Sequence, residues 1–505
     1  MPSAIIDDKE VSFSYGDTIL TAATRAGIHI PTLCYSPDLR PEGGCRLCLV
    51  EVSGRGKPVG SCHTPLQEGM EIRTTTEKLQ RLRHDVLALY SSKVELSDTA
   101  GHNAGKLAKL AEEHRVGLPQ NAQPVRDESH PYLRFDSASC ISCRLCLNAC
   151  EQLQGQFVYS MGGRGPATHL LFGPGSSFAE SSCVACGACV DHCPTGAISD
   201  RDRITVMAST TRVDSVCGYC GVGCRISVEA AGGKVLRIEG VKDAAVNHGH
   251  LCVKGRYAHA YHHSADRLTQ PLIRKGEALV PVSWDEAYAF VATRLDEIVA
   301  QSGPGSVGAL SSSRSTNEAA YLLQKLYRAR LGTNNVDCCA RVCHSSTALG
   351  LQLLTGTGAA SASYSDIEKA SCIVVAGANA TEAHPVVGAR IKQAVLHGAR
   401  LVVIDPRRVE LAEYADVFLQ LIPGTNVPLF NALASVLLER GMIDYDFVES
   451  RTEGWGEFAE FLASQSLEEL QKITGVKEGE IRKAAEIIGK SGPCLFVSGL
   501  GLSEL

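Results

Sequence analysis

The sequence lacks the marks of export and of membrane insertion. The N-terminal stretch "MPSAIIDDKEVSFSYGDTIL" contains neither a basic segment followed by an apolar one nor a twin-arginine signal. No run of about 18 consecutive apolar residues occurs, so the sequence predicts no membrane-spanning helix. We therefore expect a cytoplasmic protein, in a compartment where thiols stay reduced.

The sequence also lacks a strong charge of either sign. Its formal net charge is -6, and it contains no basic arm and no long run of like charge, so nothing points to a nucleic-acid partner. At roughly 150 residues per domain, 505 residues predict three or more domains. A hydrophobic content of 44% and a charged content of 21% are typical of globular domains.

Cysteine, by contrast, is abundant, and 16 of the 21 cysteines lie in four closely spaced groups. The first group lies in residues 1–78, which read as a small β-rich domain with one helix in "GDTILTAATRAGIHIP". A long loop, a C-x-x-C pair and a distant fourth cysteine indicate a [2Fe–2S] site, and Gly43 and Gly44 let the backbone approach it. A structural zinc site is the alternative. The predicted ligands are Cys34, Cys45, Cys48 and Cys62.

Two further groups repeat one pattern within residues 126–205, after a predicted helical linker at 79–125. "CISCRLCLNAC" and "CVACGACVDHCP" both read C-x2-C-x2-C-x3-C, the two-cluster ferredoxin run in which each fourth cysteine ligates the other cluster. Zinc is the weaker alternative. The pattern predicts one [4Fe–4S] cluster on Cys140, Cys143, Cys146 and Cys193, and another on Cys183, Cys186, Cys189 and Cys150.

The fourth group lies in a predicted domain at 212–264, within "CGYCGVGCRISVE" and "GHLCVKG". The spacing C-x2-C-x3-C with a remote fourth cysteine predicts a third [4Fe–4S] cluster, with zinc as the alternative. Its ligands would be Cys217, Cys220, Cys224 and Cys252. Lys254 follows two residues later; it is either a bridge from this cluster to the next cofactor or an ordinary surface lysine.

From about residue 265 to 505 the pattern becomes α/β. "SWDEAYAFVATRLDEIVAQ" predicts a helix with a capping box at Ser283 and Glu286. Its apolar face would comprise Ala287, Phe290, Val291, Leu295 and Ile298. "CIVVAGAN" and "ARLVVIDP" predict buried strands joined by a helix that runs from Pro385 to Gly398, the size of a βαβ unit. The expected fold class is multidomain α/β with α+β iron–sulfur domains.

These segments together carry a family resemblance. "CGYCGVGC", "GHLCVKGRYAH", "GTNNVDCCARVCHSSTALG", "GANATEAHP", "VIDPRR" and "PGTN" resemble the molybdopterin oxidoreductase family, and specifically the catalytic subunit of cytoplasmic formate dehydrogenases. The likeness runs over essentially the whole chain. The N-terminal clusters resemble the form that works with NAD-linked flavoprotein or hydrogenase subunits. They also resemble the large electron-transfer subunit of respiratory complex I.

The resemblance implies a role for Cys343 and His344. Cys343 would ligate molybdenum or tungsten, together with two pterin guanine dinucleotides, and His344 would handle the proton or hydride of formate. A soft thiolate suits such a metal, and imidazole suits proton transfer near pH 7. Three alternatives stay open: both residues belong to the core, the chain is a non-catalytic electron-transfer subunit, or it acts on another substrate.

The resemblance also implies the pterin contacts. Gly377, Asn379, Glu382 and His384 would line one dinucleotide, beyond a strand end and at the start of a helix, where phosphate is favoured. Asp405 and Arg407 would bind its guanosine end, and Gly424 and Asn426 would close the pocket. The remaining cysteines are interpreted as small buried hydrophobic residues: Cys338, Cys339, Cys372 and Cys494.

The sequence departs from the family pattern in two places. The stretch "HDVLALYSSKVELSDTAGHNAGKLAKLAEEH" contains no cysteine where larger members carry a cluster held by a histidine and three cysteines. Electrons would therefore pass directly between the [2Fe–2S] domain and the paired cubanes, or enter elsewhere. The family pattern also continues for several hundred residues beyond "FVSGLGLSEL", including much of the second pterin site. We therefore expect the isolated chain to be inactive with formate.

Overall fold

The computed structural model describes residues 1–91, 94, 105–117, 125–173, 175, 177–201 and 210–504. These residues form two compact units. The first comprises Met1–Val216 and Cys224–Ala258, and the second comprises Cys217–Gly223 and His259–Leu505. Across the described ranges, no helix is both long and apolar enough to cross a bilayer.

The first unit opens with a five-stranded sheet in the order β2-β1-β5-β3-β4. Helix α1 packs on it through Ile19, Leu20 and Ala23, and Thr18 caps the helix by accepting a hydrogen bond from Thr21 N. The predicted helix is therefore confirmed. The elements are β1 (Ser3–Ile6), β2 (Lys9–Ser12), α1 (Ile19–Arg25), β3 (Leu49–Val52), β4 (Val59–Gly60) and β5 (Glu71–Arg73).

Two helices follow, α2 (Glu77–Ser91) and α3 (Gly105–Glu113), as the apolar spacing predicts. Buried Arg83 fastens α2 to the sheet domain, because its guanidinium donates to the carbonyl oxygens of Leu47, Leu49 and Thr74 at 2.9–3.0 Å. The predicted linker also includes residues 92–93, 95–104 and 118–124, which lie outside the described residues.

The next segment carries the repeated cysteine pattern. A sheet of order β10-β7-β6 and a hairpin of β8 with β9 enclose a core in which Phe172 stacks on Phe178 and meets Phe135 edge-on. Each cysteine run ends in a short helix, α4 or α5. The elements are β6 (Arg126–Asp127), β7 (Leu133–Asp136), α4 (Leu145–Ala149), β8 (Tyr159–Gly162), β9 (His169–Phe172), α5 (Ala188–His192) and β10 (Ile198–Asp200).

An antiparallel sheet of order β11-β12-β13 and one short helix complete the first unit. Buried Asn247 fixes the loop after β13: its Oδ1 accepts from Arg225 N at 2.9 Å, and its Nδ2 donates to the oxygens of Arg225 and His250. The elements are β11 (Thr211–Val216), β12 (Arg225–Ala231), β13 (Lys234–Gly240) and α6 (Val253–Tyr257).

The second unit begins with a hairpin and a parallel strand pair, β16 with β17. Ser283 caps α7 by accepting from Glu286 N at 3.2 Å, which confirms the predicted helix start. On the predicted apolar face, Ala287, Leu295 and Ile298 are half buried, whereas Phe290 and Val291 are about half exposed. The elements are β14 (Leu272–Lys275), β15 (Ala278–Pro281), α7 (Trp284–Ser302), β16 (Ala309–Ser311), α8 (Asn317–Lys325), β17 (Val336–Cys338), α9 (Ala340–Cys343) and α10 (Ser345–Thr355).

The core of the second unit is a parallel sheet of order β20-β19-β18-β21. Both predicted strands are present, in register from Cys372 with Arg400 to Ala376 with Ile404. The predicted helix between them begins at Pro385. The elements are β18 (Cys372–Ala376), α11 (Ala380–Ala383), α12 (Pro385–Leu396), β19 (Arg400–Ile404), β20 (Val417–Leu419), α13 (Asn426–Glu439), α14 (Tyr445–Arg451), α15 (Trp455–Ala463), α16 (Leu467–Thr474), α17 (Glu478–Lys490), β21 (Cys494–Ser498) and α18 (Leu500–Ser503).

Candidate functional site

The first cysteine group forms two buried thiol pairs. The Cys45 amide donates to the Cys34 sulfur at 3.1 Å, and the thiols of these two residues are hydrogen-bonded. The thiols of Cys48 and Cys62 form the second pair. In each pair this bond lowers the pKa of one thiol, Cys45 or Cys48, and raises that of its partner. The four sulfurs lie close together, and in each pair one thiol ionises more easily than its partner. This arrangement fits an iron–sulfur cluster, which binds its ligands as thiolates.

The loop around this group is shaped by glycine. Gly43 has a φ of +65°, which favours glycine over any residue with a side chain. A Cβ at Gly43 would also lie 2.7 Å from the ring of His63, whereas Gly44 has open space around it. The approach of the Gly43 and Gly44 backbone to a cluster stays a prediction; next to them, the Cys45 amide donates to the Cys34 sulfur.

The repeated cysteine runs form two four-thiol sets, and both include the exchanged fourth cysteine. One cavity is lined by Cys140, Cys143, Cys146 and Cys193. A second cavity is lined by Cys150, Cys183, Cys186 and Cys189. Burial raises the pKa of Cys186 to about 12, and the nearby Cys150 sulfur adds to this shift. Such thiols give up their protons to a bound metal centre, so both sets fit a cubane.

The two runs also repeat one backbone geometry. Ser142 and Arg144 in the first run have φ values of 54° and 65°, and Ala185 and Gly187 occupy the same places in the second run with 53° and 75°. Left-handed residues of this kind turn successive amides inward, as in the concavities that hold iron–sulfur sites. The Ala185 amide accordingly points at the Cys183 sulfur, 3.4 Å away.

The fourth cysteine group includes residues that are assigned to different units. Cys224 and Cys252 belong to the first unit, in which Asn247 links the backbone beside Cys224 to the backbone at His250, two residues before Cys252. Cys217 and Cys220 belong to the second unit. The shared cluster stays a prediction, as does the bridging role of Lys254, which lies on α6. Sequence reasoning missed Asn247, because an isolated asparagine in a loop carries no spacing signal.

Arg256 joins the fourth group to the ferredoxin segment inside the first unit. Its guanidinium is almost fully buried and forms two 2.8 Å bonds to Asp191, and its Nε donates to the Tyr257 hydroxyl at 3.1 Å. That hydroxyl donates to Asp200 at 2.6 Å. A Cβ at Gly187 would lie within 2.6 Å of the guanidinium, so this glycine leaves space for it.

In the second unit the predicted pterin residues lie at one edge of the parallel sheet. Gly377 and Asn379 follow β18, Asp405 and Arg407 follow β19, and Gly424 and Asn426 follow β20. Glu382 and His384 lie on and just after α11 at the same end. Ligands of open α/β sheets bind beyond the carboxyl ends of the strands, where neighbouring connections leave in opposite directions. Here that point lies between β18 and β21.

Two residues at this point were missed from the sequence. Gly499 and Gly501 follow β21 and bond to the backbone of Ala376 and Gly377 at 3.1 and 3.0 Å. A Cβ on Gly377 would lie 2.7 Å from Gly501, and Gly377 has a φ of +60°, so both positions require glycine. The signal was the pair of glycines directly after a hydrophobic strand in "LFVSGLG".

Charged and amide groups complete this edge. Asp405 is buried and its Oδ1 accepts from Arg407 N at 2.8 Å, while Arg407 itself is exposed. Asn426 Nδ2 donates to the Gly501 oxygen at 2.9 Å and so ties α13 to the turn after β21. Close backbone approach next to a fixed carboxylate fits a phosphate-bearing guanine dinucleotide, whose base presents N–H donors.

Cys343 ends α9, and His344 interrupts the helix before α10 with φ −156° and ψ 10°. Cys343 is half buried and His344 is exposed. Partial burial and then the Glu504 carboxylate raise the pKa of the Cys343 thiol. Ser346 Oγ donates to the Ser503 oxygen at 2.6 Å, so the first turn of α10 packs on α18, directly after the glycine turn of β21. Cys343 is thereby brought to the predicted pterin edge.

The four remaining cysteines differ in their surroundings. Cys372 is fully buried, as predicted, and Cys338 and Cys494 are half buried. The prediction for Cys339 is wrong: this residue is exposed, because it lies at the start of α9 and bonds to the Ser313 hydroxyl at 3.2 Å. Among the residues that the structure describes, no three His, Cys, Asp or Glu side chains are spaced for a single metal ion.

Family comparisons match most of this organisation. The model described as "2Fe-2S iron-sulfur cluster binding domain" matches residues 3–77, and "4Fe-4S binding domain" matches 177–199. "Molybdopterin oxidoreductase Fe4S4 domain" matches 210–264, and "Molybdopterin oxidoreductase" matches 267–491.

Two curated relatives are similar along almost the whole chain. "Putative formate dehydrogenase YrhE" of Bacillus subtilis (strain 168) is 32% identical, over 99% of this chain and 56% of its own length. "NADPH-Fe(3+) oxidoreductase subunit alpha" of Geobacter sulfurreducens (strain DL-1 / KN400) is also 32% identical, over 97% of this chain and 58% of its own length. The chain thus spans a little over half the length of these relatives.

A solved structure is also similar. The acetylene hydratase from Pelobacter acetylenicus has a TM-score of 0.50 and 28% identity, over 57% of this chain and 40% of that one. The matched families agree with the fold class expected from the cysteine groups and the α/β pattern. The chain carries [2Fe–2S] and [4Fe–4S] domains followed by a domain of the molybdopterin oxidoreductase family.

Proposed function

We propose that this chain belongs to a formate dehydrogenase and oxidises formate reversibly to carbon dioxide. One observation carries the proposal: the packing of α10 on α18 brings Cys343 and His344 to the sheet edge that holds Gly377, Gly499 and Gly501. The Cys–His pair of formate dehydrogenases requires that the thiolate and the adjacent imidazole lie at the sheet edge that binds the dinucleotide. The name of one 32%-identical relative supports the same substrate.

Different residues of the chain would perform different parts of the reaction. When bound, a molybdenum or tungsten centre with two pterin guanine dinucleotides supplies two-electron redox chemistry. Cys343 would hold the metal through its sulfur, and the glycine turns would accept the phosphates. Formate yields carbon dioxide, one proton and two electrons, and exposed His344 would take up the proton and pass it to solvent.

The cysteine groups would carry the electrons away one at a time, with Lys254 linking the pterin to the cluster of Cys217, Cys220, Cys224 and Cys252. In the first unit, Cys34 and Cys45 share one packed core with Ile141 and Cys143. Asp38, in the loop of the first group, also lies 3.7 Å from His192, the neighbour of Cys193. These contacts support direct passage between the paired cubanes and the [2Fe–2S] centre.

We further propose a cytoplasmic partner that exchanges electrons with the [2Fe–2S] domain, either a flavin- and NAD(P)-binding iron–sulfur subunit or hydrogenase subunits. The four predicted iron–sulfur sites need reduced thiols, which supports this compartment. The reference to NADPH in the name of the Geobacter relative supports a nicotinamide-linked partner.

The test is anaerobic purification of the full chain with its co-purifying subunits, followed by metal, pterin and dye-reduction assays. We expect molybdenum or tungsten in stoichiometric amount and formate-dependent dye reduction. Cys343→Ala should abolish turnover and leave the cluster EPR signals unchanged. Cys339→Ala, at the exposed cysteine that precedes the helix ending in Cys343, is the matched control and should leave turnover unchanged. Turnover retained by Cys343→Ala would refute the assignment.

A second candidate is an electron-transfer or different-substrate oxidoreductase role, favoured by the relative named for NADPH and Fe(3+). The same preparation decides between the two. Iron without molybdenum or tungsten, together with NADPH-dependent Fe(III) reduction that Cys343→Ala leaves intact, would favour this second role. Molybdenum or tungsten without formate turnover, in a preparation whose co-purifying subunits supply the rest of the second pterin site, would indicate another substrate.

A further inference from the structure

His63 lies directly against the first cysteine group, yet neither the spacing of the cysteines nor the matched families give it a role. Its Nδ1 is 3.4 Å from the sulfur of Cys62, the preceding residue. The ring is exposed, so it is not held there by burial in a core. The ring instead lies over two backbone segments, each of which has a glycine beneath it.

Two glycines make the space that the ring occupies. A Cβ on Gly43 would lie 2.7 Å from the ring, and a Cβ on Gly60 would lie 2.4 Å from it. Gly43 has a positive φ and would favour glycine in any case. Gly60 lies in β4 without a positive φ, where glycine weakens a strand. The histidine ring is therefore the steric reason for glycine at position 60.

The direction of the His63–Cys62 bond follows from the chemistry of the bound state. A sulfur that ligates iron is a thiolate, which has no proton to donate. The only proton that can lie between His63 Nδ1 and the Cys62 sulfur is the one carried by Nδ1, so the imidazole donates and the sulfur accepts. Hydrogen bonds to cluster sulfurs are among the factors that set the reduction potential, because they stabilise the more negative, reduced cluster.

We propose that His63 is a positioning residue of the [2Fe–2S] site that raises its reduction potential through an Nδ1–H···Sγ bond to Cys62. The inference rests on the proposed assignment of Cys34, Cys45, Cys48 and Cys62 as the ligands of that cluster. The bond stabilises the reduced centre where the chain would exchange electrons with its partner subunit.

The test compares reduction potentials in the full chain, purified anaerobically with its clusters, by EPR-monitored titration. His63→Phe keeps a ring and removes the donor, and it should shift the [2Fe–2S] midpoint to a lower potential. His63→Asn places an amide donor at the position of Nδ1 and should stay near the parent. Gly60→Ala displaces the ring without removing it and should shift the potential in the same direction as His63→Phe.

Two controls separate the outcomes. His29→Phe changes an exposed histidine of the same domain and should leave the potential unchanged. Resonance Raman spectra of the parent should show cysteinyl Fe–S stretches that move in deuterated water, and His63→Phe should reduce that movement. An unshifted potential in His63→Phe with the cluster signal intact would overturn the role of His63 alone. Absence of any [2Fe–2S] signal in the parent would instead overturn the ligand assignment.

Discussion

Arg256 and Asp191 form a bidentate ion pair in which two guanidinium nitrogens each lie 2.8 Å from a different carboxylate oxygen. The arginine side chain is 2% exposed and the aspartate 23% exposed. The pair connects α6, which follows Cys252, to α5, which carries Cys189. Two predicted cluster sites are thus held together by one planar, two-bond contact that lysine could not reproduce.

We expect Arg256→Met to lower the free energy of unfolding of the first unit by about 3–5 kcal/mol, because it removes both charge-assisted hydrogen bonds that the buried guanidinium donates to the Asp191 carboxylate. The matched control is Arg225→Met. Arg225 pairs with Asp214 at 3.6 Å and both side chains are half exposed, so its loss should cost less than about 1 kcal/mol. Urea unfolding followed by cluster absorbance measures both; equal midpoints would contradict the prediction.

The exchanged fourth cysteines predict a specific pattern of cluster loss. Cys193→Ala should remove the [4Fe–4S] centre it shares with Cys140, Cys143 and Cys146, and leave the other ferredoxin cubane in place. Cys150→Ala should do the reverse, because its sulfur faces the cavity of Cys183, Cys186 and Cys189. Iron analysis and EPR of the anaerobic protein check this. Cys494→Ala, outside every cysteine group, should keep the full iron content.

Asn247→Ala should lower the free energy of unfolding of the first unit by about 1–3 kcal/mol. The side chain is 2% exposed, and its removal takes away the acceptor of the Arg225 amide and the donor to the Arg225 and His250 oxygens. Denaturant unfolding measures the loss, with Gln67→Ala, an exposed amide of the same unit, as control. A change no larger than that of the control would show that solvent replaces these bonds freely.

The surroundings of His130 predict that the folded first unit loses stability at acid pH. Burial lowers its pKa, and its Nδ1 accepts from the amides of Tyr132 and Leu133, which only the neutral ring can do. The unfolded chain binds this proton more readily, with a pKa near the usual value of about 6.5. Stability should therefore be unaffected well above that pH and fall as the pH drops below it.

The check is urea unfolding of the parent and of His130→Asn between pH 7.5 and 5.5. Asparagine keeps an acceptor for the two amides and does not titrate in this range. Its unfolding midpoint should vary less with pH than that of the parent. Equal slopes would assign the acid sensitivity to other groups.

The grouping of the cysteine thiols was predictable because the ligands of one cluster stand at restricted distances along the chain. The exchange of Cys150 and Cys193 between the ferredoxin runs followed from spacing alone, and the two cavities place these sulfurs accordingly. The strands at Cys372–Ala376 and Arg400–Ile404 were equally clear, since a buried parallel strand reads as an uninterrupted apolar run.

The rest depended on contacts between residues far apart in sequence. The apolar face of α7 has the right period, but periodicity states which side of a helix is apolar and not whether another element covers it. Gly501 matters because it meets Gly377, and Asn247 matters because it meets Arg225. The local sequence around Gly501 and Asn247 does not identify these distant contact partners.

The pairing of β21 beside β18 has a consequence for assembly. The chain leaves β18, builds β19, β20 and the seven helices α11 to α17, and only then returns to complete the crevice with Gly499 and Gly501. A nascent chain that has emerged only as far as α17 therefore lacks one wall of the dinucleotide edge. Insertion of a pterin cofactor at this edge would have to await the synthesis of β21.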